Sequence, residues 1–308
     1  MKFSPVFKQY LGCSDESEVF KYFKDSLTDS ITVWDYFVDW KKVIKNFKEI
    51  EINLNLLNYL IGKDNLEEEL RQLLKQYPKI ARTIPILLAC RTANFKILTE
   101  YAGGKFNHEC FNFSHKGTIN DKDIETIVIF TKKTGILDIF RNKIIKSIPD
   151  YVLGVEVGLD SNGRKNRSGT TMETIVKNIL QPICQKNNFS LISQATPSKL
   201  EQDWGVTVKV DKANRKFDFA VKTEKALYLI ETNFYGGGGS KLKATAGEYK
   251  GLFDVISSQG HKFIWITDGL GWKSSLRSLE ETFDRIDYTF NLKTISTGLL
   301  AEIIVQQL

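Results

Sequence analysis

The sequence predicts a mixed α/β fold, in which a helical N-terminal region precedes a mixed central sheet flanked by helices. Apolar residues recur at helical spacing through most of the first hundred residues. Short buried strands alternate with helices after residue 150, and two apolar runs flank a polar turn near residue 224. We therefore place a helical region at 1–149 and an α/β core at 150–308.

The composition is that of an ordinary globular protein with enough apolar residues for a large core. The chain has 308 residues, of which 42% are hydrophobic and 26% charged, and its net charge is +6. This mild excess of positive charge is compatible with nucleic acid binding but does not require it. The four cysteines show no CxxC pair and no zinc-like spacing to histidine, so we expect reduced thiols in a cytoplasmic protein. No apolar run reaches the ~18 residues of a membrane span, and the start has no signal-peptide core.

Residues 15–100 are expected to be helical, with Asn65 capping a helix that has acidic residues in its first turn. We expect the Trp and Phe residues of this region to lie in the core, in preference to a stacking surface. A basic helix face is interpreted as solvated, with phosphate contact as the alternative; it consists of Lys41, Lys42, Lys45 and Lys48. Residues 103–118 are expected to form a loop or short hairpin, and helices are expected at 121–134 and 136–147.

The stretch 150–180 combines a strand-like run with a polar segment. We predict a strand over Val152–Val157, a polar loop over Asp160–Gly169 and a helix from about Thr170. Arg and Asn suit base edges, and Lys suits phosphates, so four residues of the loop are candidate DNA contacts: Arg164, Lys165, Asn166 and Arg167. An exposed turn rich in helix-breaking residues explains the same composition, and the helix dipole alone could explain Glu173 in the first helical turn.

The runs Phe217–Val221 and Ala226–Ile230 predict a β-hairpin. Symmetric pairing about its turn sets Asp218 opposite Glu231, with Cβ atoms ~4.5–5.5 Å apart on one face. Two carboxylates at that spacing can share a Mg²⁺ ion with water and a substrate phosphate. Asn233 is expected on the same side, because strand side chains alternate. Acidic residues at strand ends are common, but the apolar run before Glu231 indicates a strand buried on both faces.

The segment after the hairpin supplies an open backbone and positive charge next to these carboxylates. Four glycines at 236–239 are followed by Ser240, Lys241 and Lys243, without the GK[ST] of a P-loop. A helix over Ala244–Ser257 and a strand over His261–Thr267 come next. Helices over Ser274–Ile286 and near Thr297–Gln307 complete the predicted core.

The order of these elements resembles the core of PD-(D/E)xK nucleases. More narrowly, four segments resemble the DpnII/MboI family of type II restriction endonucleases: GVEVGLDSNGRKNRSGTTME, KFDF, YLIETNFYGGGGSKL and WITDGLGW. The resemblance implies a restriction-endonuclease-like core and Mg²⁺-dependent cleavage of both strands of DNA at GATC, blocked by adenine methylation. It also implies a homodimer that belongs to a restriction-modification system.

The resemblance also assigns roles to individual residues. Asp218 and Glu231 match the two metal-binding carboxylates, and Glu173 matches an acidic residue that related nucleases place on the preceding helix. Asn233 stands where the general pattern has lysine, so Lys241, Lys243 or a second metal ion is expected to supply the missing positive charge. The segments 164–167 and 240–243 are expected to face DNA, with Ser240 and Lys243 among the contacts.

Two other functions remain open from the sequence. One is a structure-specific repair or resolvase-type nuclease on the same core, which would cut branched DNA in preference to a short site. The other is a DNA-binding protein that has lost cleavage, with Asn233 as the sign of that loss. Site-specific binding without cleavage in Mg²⁺ would favour the second.

Overall fold

The computed structural model describes residues 1–102, 105–115 and 117–308, apart from the side chains of residues 102, 165 and 166. The chain divides into two compact units. We call Met1–Trp34 with Lys165–Leu308 the sheet unit, and Asp35–Arg164 the helical unit. The domain boundary expected between residues 149 and 150 remains a prediction. The two units described here are defined only by how compactly each part of the chain packs.

The elements are numbered in chain order. The helices in the described residues are α1 Pro5–Leu11, α2 Glu16–Asp25, α3 Trp40–Asn58, α4 Leu66–Gln76, α5 Asp121–Lys133, α6 Ile136–Arg141, α7 Ile148–Ser161, α8 Arg164–Asn187, α9 Pro197–Trp204, α10 Ser240–Ser257, α11 Leu276–Arg285, α12 Leu292–Ser296 and α13 Leu299–Gln306. The 3₁₀ helices are Trp34–Tyr36, Pro78–Leu88 and Leu270–Ser275. The strands are β1 Asn94–Ala102, β2 Lys105–Asn112, β3 Ser190–Ala195, β4 Phe217–Lys222, β5 Leu227–Phe234, β6 Lys262–Asp268 and β7 Tyr288–Phe290. Among the helices described here, none is both long and apolar enough to cross a membrane.

The helical unit contains α3 to α7 and the antiparallel hairpin of β1 and β2. Leucines at helical spacing bury one side of α4. The predicted helix at 121–134 is present as α5, whereas the helix predicted over 136–147 ends at Arg141, as α6. The expected helical stretch is wrong at its end, because β1 occupies Asn94–Ala102. The aromatic residues near the start of α3 are also not core: Phe37 is 52% and Trp40 55% exposed, and nearby Trp34 is 92% exposed.

The strand predicted over Val152–Val157 is wrong, because this segment lies within α7. Ser147 caps the helix by accepting a hydrogen bond from the Asp150 N–H. Every fourth residue is buried, namely Ile148, Val152, Glu156 and Asp160. The two buried acidic residues of this helix face are stabilised by hydrogen bonds from other parts of the protein. Glu156 binds Arg91 and Asn46, and Asp160 accepts the Asp39 N–H at 2.9 Å.

The loop predicted over Asp160–Gly169 is also wrong. Helix α7 runs to Ser161, and α8 begins at Arg164, six residues before the predicted start at Thr170. The four candidate DNA contacts at 164–167 therefore form the first turn of a 24-residue helix. Charged and amide side chains are compatible with a helix, so their polarity alone did not define a loop.

The sheet unit is built on a mixed five-stranded sheet in the order β3-β4-β5-β6-β7. Strands β3, β4 and β5 pair antiparallel, whereas β5, β6 and β7 pair parallel. Strand β5 lies at the centre, and its residues Leu227 to Glu231 are all buried. Helices α10 and α12 pack on β6. The predicted α/β fold with a mixed sheet flanked by helices is confirmed, and β3 and β7 are strands that the sequence did not reveal.

Two glycines after β6 hold the loop that follows β5. Gly269 has φ +106°, and a Cβ atom built there would lie 2.3 Å from the Tyr235 carbonyl oxygen. A Cβ at Gly271 would lie 2.4 Å from the Gly237 carbonyl oxygen, and the Gly271 N–H donates to Tyr235 O at 2.8 Å. This close approach of two backbones fixes the start of the glycine loop.

We expect Gly271→Ala to lower the free energy of unfolding by roughly 1–3 kcal/mol, because the methyl group meets rigid backbone. Urea denaturation of the metal-free protein measures the change. Gly251→Ala is the matched control, since the Cβ at this exposed position of α10 meets no atom within 4 Å. It should raise stability by about 0.5–1 kcal/mol. Equal effects of the two substitutions would contradict the close packing at Gly271.

Candidate active site

Asp218 and Glu231 lie on the neighbouring antiparallel strands β4 and β5, at the open end of their hairpin. The symmetric pairing expected from the sequence is present as the pairs Val221–Tyr228 and Lys222–Leu227, and the ladder continues to Phe219–Ile230. One further step of this register sets Asp218 of β4 opposite Glu231 of β5. The turn between the strands is closed by hydrogen bonds between Thr223 and Ala226.

Asp218 is held by the residue that follows Glu231. Its Oδ2 atom accepts hydrogen bonds from the backbone N–H and the hydroxyl of Thr232, both at 2.8 Å. Burial raises the pKa of Asp218, although the two Thr232 bonds and the charge of Lys216 act in the opposite direction. The orientation of this carboxylate is thus fixed by β5, while its negative charge is only partly compensated.

Glu231 is 5% exposed at the point where the buried part of β5 ends. The Tyr249 hydroxyl donates to its Oε2 atom at 3.2 Å, and Arg215 Nη1 lies 3.5 Å from Oε1. Oε1 is buried without a hydrogen-bond partner. Burial, with the nearby charge of Asp218, raises the pKa of Glu231 to about 8 against the opposing effects of Arg215 and Tyr249.

Glu173 lies on α8 and adds a third carboxyl group near Asp218. Its Oε2 atom accepts a hydrogen bond from Gln194 Nε2 at 2.6 Å. Burial and the charge of Asp218 raise the pKa of Glu173, while Lys216 and the Gln194 bond oppose that change. The charge of Asp218 therefore acts on both Glu173 and Glu231.

Asn233, two residues beyond Glu231, is tied to the next strand. Trp265 Nε1 donates to its Oδ1 atom at 2.8 Å. Its side chain also hydrogen-bonds to Tyr249, the residue that contacts Glu231. Trp265 thus uses the amide oxygen of Asn233. Because the Tyr249 hydroxyl donates to Glu231, the Asn233 NH₂ group gives one hydrogen to the Tyr249 oxygen, and its second hydrogen is the one suited to a water or phosphate oxygen.

Two cations near the carboxylates, Arg215 and Lys216, are residues that sequence reasoning missed. Lys216 directly precedes β4, two positions before Asp218, and its charge acts on Asp218 and Glu173. Arg215 is 6% exposed and binds Asp211 and Glu248 as well as approaching Glu231. No sequence pattern indicates that ion network. Lys241 and Lys243 are exposed in the first turn of α10, whose first residue is Ser240.

The predicted DNA-binding segment at 164–167 begins in one unit of the chain and continues in the other. Arg164 belongs to the helical unit, where its Nε atom donates to the Phe37 carbonyl oxygen at 3.3 Å. Arg167 belongs to the sheet unit and is half-buried. The side chains of Lys165 and Asn166 lie outside the described residues, so their predicted contacts stay predictions.

The residues present fit a hard divalent cation. All of the acidic groups offer oxygen ligands, their pKa values are raised by burial that is only partly compensated, and Glu231 Oε1 accepts no hydrogen bond. Among residues 1–102, 105–115 and 117–308, no group of three or more His, Cys, Asp or Glu side chains is arranged to hold a metal ion. A cation held by Asp218 and Glu231 would therefore complete its shell with water and phosphate oxygens.

The five-stranded mixed sheet, with Asp218 and Glu231 on its adjacent inner strands β4 and β5, is consistent with the architecture of the restriction-endonuclease-like nucleases. A family model described as DpnII restriction endonuclease matches residues 19–302. The chain belongs to the DpnII restriction endonuclease family.

Relatives match over nearly their whole length. The type II restriction enzyme MjaIII of Methanocaldococcus jannaschii is 48% identical over 292 residues, which cover 93% of this chain and 99% of the relative. The type II restriction enzymes DpnII of Streptococcus pneumoniae and MboI of Moraxella bovis are each 36% identical. These alignments cover 89% and 90% of this chain, and 94% and 93% of the relatives, respectively. The protein is accordingly a type II site-specific deoxyribonuclease.

We expect the stability of the metal-free protein to fall as pH rises from about 4.5 to about 8. The folded state binds the Glu231 proton more tightly than the unfolded state, so raising the pH removes a proton that favours folding. Glu231→Gln should flatten this fall, which is on the order of 5 kcal/mol at about 1.4 kcal/mol for each pKa unit between 4.5 and 8. Urea denaturation at several pH values measures it.

The matched control is Glu224→Gln, at an exposed position of the turn between β4 and β5. This substitution should leave the pH dependence of the unfolding free energy as in the wild type. The same slope in wild type and Glu231→Gln would rule out Glu231 as its source.

Proposed function

We propose that the protein cleaves both strands of DNA at GATC in a Mg²⁺-dependent reaction that adenine methylation blocks. The observation that carries the catalytic part is the register of β4 and β5, whose continuation by one step beyond Phe219–Ile230 would set Asp218 opposite Glu231. Membership of the DpnII family supports the substrate, and the resemblance of the sequence to the DpnII/MboI enzymes supports the GATC site.

Asp218 and Glu231 are the residues that would hold Mg²⁺. When bound, the ion would lower the pKa of a water molecule and offset the charge of the phosphate. Thr232 orients the Asp218 carboxylate through two hydrogen bonds, and Tyr249 and Arg215 orient Glu231. Because Trp265 engages the Asn233 oxygen, the NH₂ group of Asn233 would donate to the attacking water or to a phosphate oxygen.

A lysine is needed to offset the charge that develops on the phosphate, since Asn233 carries none. Lys241 and Lys243 are the candidates from the sequence, and the structure adds Lys216, whose charge acts on both Asp218 and Glu173. We infer that Lys216 takes this role, and that Lys241 and Lys243 contact the DNA backbone. Their helix supports such contacts, because α10 begins after a glycine, without a side-chain cap or an acidic first turn.

Recognition of the site would combine backbone and base contacts. Arg164, Lys165, Asn166 and Arg167, with Ser240 and Lys243, are the proposed DNA contacts. GATC is self-complementary, so a two-fold homodimer would present one active site to each strand. A methyl group on adenine N6 removes a donor and adds bulk in the major groove, which accounts for the proposed block.

Asp218→Asn should lower the cleavage rate by roughly 10³-fold or more, because the amide is a poor ligand for a hard cation. Asp203→Asn, at an exposed site on α9, is the control and should cut normally. The measurement uses plasmid DNA with and without adenine methylation in Mg²⁺, with sequencing of the fragment ends. Duplex binding is measured in Ca²⁺ and should be nearly unchanged in Asp218→Asn.

The other outcomes of that experiment are informative. Cutting by Asp218→Asn at the wild-type rate would reject the metal assignment. Binding at GATC without cutting by the wild type would identify a DNA-binding protein with an inactive site. Preferential cutting of branched DNA would identify a structure-specific nuclease.

Lys216→Met should lower kcat by about 10²-fold while changing the DNA dissociation constant little, because it acts on charge in the transition state. Lys241→Met should mainly weaken binding and reduce its salt dependence, as expected for a phosphate contact. Lys199→Met, exposed on α9, is the control for loss of one positive charge. A larger loss of kcat in Lys241→Met than in Lys216→Met would reverse the two roles.

A further inference from the structure

Gln194 has an unusual backbone conformation inside strand β3. Its φ is +55°, in the left-handed region that residues other than glycine and asparagine seldom adopt. Four other non-glycine residues in the described parts of the chain have positive φ: Ala89, Lys143, Asn188 and Gln307. Each of those lies at or just beyond the end of a helix, where this conformation is ordinary. Helix ending does not explain the conformation of Gln194.

The position of Gln194 in the sheet is next to a candidate metal ligand. The flanking pairs Ser193–Phe219 and Ala195–Phe217 set Gln194 opposite Asp218. On the other side of β4, the register sets Asp218 opposite Glu231. The strained residue therefore lies in the same row of the sheet as the two carboxylates.

The side chain of Gln194 reaches the third acid. Its Nε2 atom donates to Glu173 Oε2 at 2.6 Å, across from β3 to α8. Gln194 thus joins two parts of the site: its backbone lies beside Asp218, and its amide holds Glu173. Strained backbone conformations persist where the surrounding structure enforces them, and they concentrate at functional sites.

We propose that Gln194 is a positioning residue for cleavage, whose left-handed backbone directs its amide to Glu173 and fixes that carboxylate beside Asp218. This inference rests on the proposed nuclease function. Gln194 does not touch the DNA or the cation in this account. It acts through Glu173, so its loss should reduce kcat and leave the affinity for DNA unchanged.

Gln194→Asn separates the backbone from the side chain. Asparagine tolerates positive φ better than glutamine but is one methylene shorter, so its amide cannot reach Glu173 as Gln194 does. We expect the urea midpoint of the metal-free protein to be equal to or above that of the wild type. The kcat should fall roughly 10- to 100-fold, as for other residues that orient ligands. The DNA dissociation constant in Ca²⁺ should stay within about twofold.

Gln194→Met tests the amide alone, because it keeps the length of the side chain and removes the donor. Its kcat should fall to a similar extent. Ala89→Asn is the matched control for the backbone, since Ala89 is exposed with φ +57° in the helical unit. It should raise the urea midpoint or leave it unchanged, and it should cut DNA at the wild-type rate.

Three results would overturn the proposal. Wild-type kcat in both Gln194 variants would show that the amide is dispensable. A lower urea midpoint together with weaker DNA binding in Gln194→Asn would show a purely structural residue. A wild-type protein that cuts no DNA would remove the nuclease function, and this role with it. If the wild type cuts a sequence other than GATC, the same comparison on that sequence tests Gln194 independently of the proposed specificity.

Discussion

The candidate site depends on carboxyl groups that are buried at the open end of the β4–β5 hairpin, where burial opposes their ionisation. Glu231 is buried because it follows the apolar residues of the central strand β5, and the pairing of β4 with β5 places Asp218 near it. An ionised carboxylate in such surroundings costs several kcal/mol unless a cation or hydrogen bonds offset it. Thr232 does so in part for Asp218, and Arg215 approaches Glu231, yet burial still raises the pKa of both groups. The metal-free site is therefore less favourable electrostatically than a site that holds a divalent cation.

The scaffold around this charge is rigid because it is made of paired backbone. Strand β5 has an antiparallel neighbour that supplies Asp218 and a parallel neighbour that supplies Trp265. The glycine loop after β5 is held by backbone contact with Gly269 and Gly271, so the start of α10 follows the carboxylates at a defined position. The pairing of β4 with β5 and the loop from β5 to α10 thus bring Asp218, Glu231, Asn233 and the first turn of α10 to one end of β5. The side chains that refine the site, Gln194 and Tyr249, come from β3 and α10.

The sequence predicted the parts of the site that depend on local pairing. The hairpin was foreseeable because a short turn between two apolar runs determines which residues face one another. The start of helix α7 carried a sequence signal in the spacing of Ser147 and Asp150, but its buried Glu156 and Asp160 did not, because they are compensated by Arg91, Asn46 and the Asp39 backbone, which are distant in sequence. Strand β3 lacks a clear alternation, so Gln194 carried no signal. The register and the family resemblance were within reach of the sequence, whereas the ion network around Arg215 required coordinates.

The presence of asparagine at position 233 is explained by Trp265 on the neighbouring strand β6. Trp265 is fully buried, and its indole N–H needs an acceptor, which Asn233 Oδ1 provides at 2.8 Å. A lysine at position 233 has three donors and no acceptor, so it would leave the indole N–H unsatisfied and bring an ammonium group towards Tyr249. An unsatisfied buried donor costs about 1–3 kcal/mol. A positive charge at the site is therefore easier to place on Lys216, an exposed residue directly before β4, than at the third position of the usual motif. Asn233 thus provides the hydrogen-bond acceptor that the buried Trp265 indole needs, and Lys216 would provide the positive charge next to the phosphate.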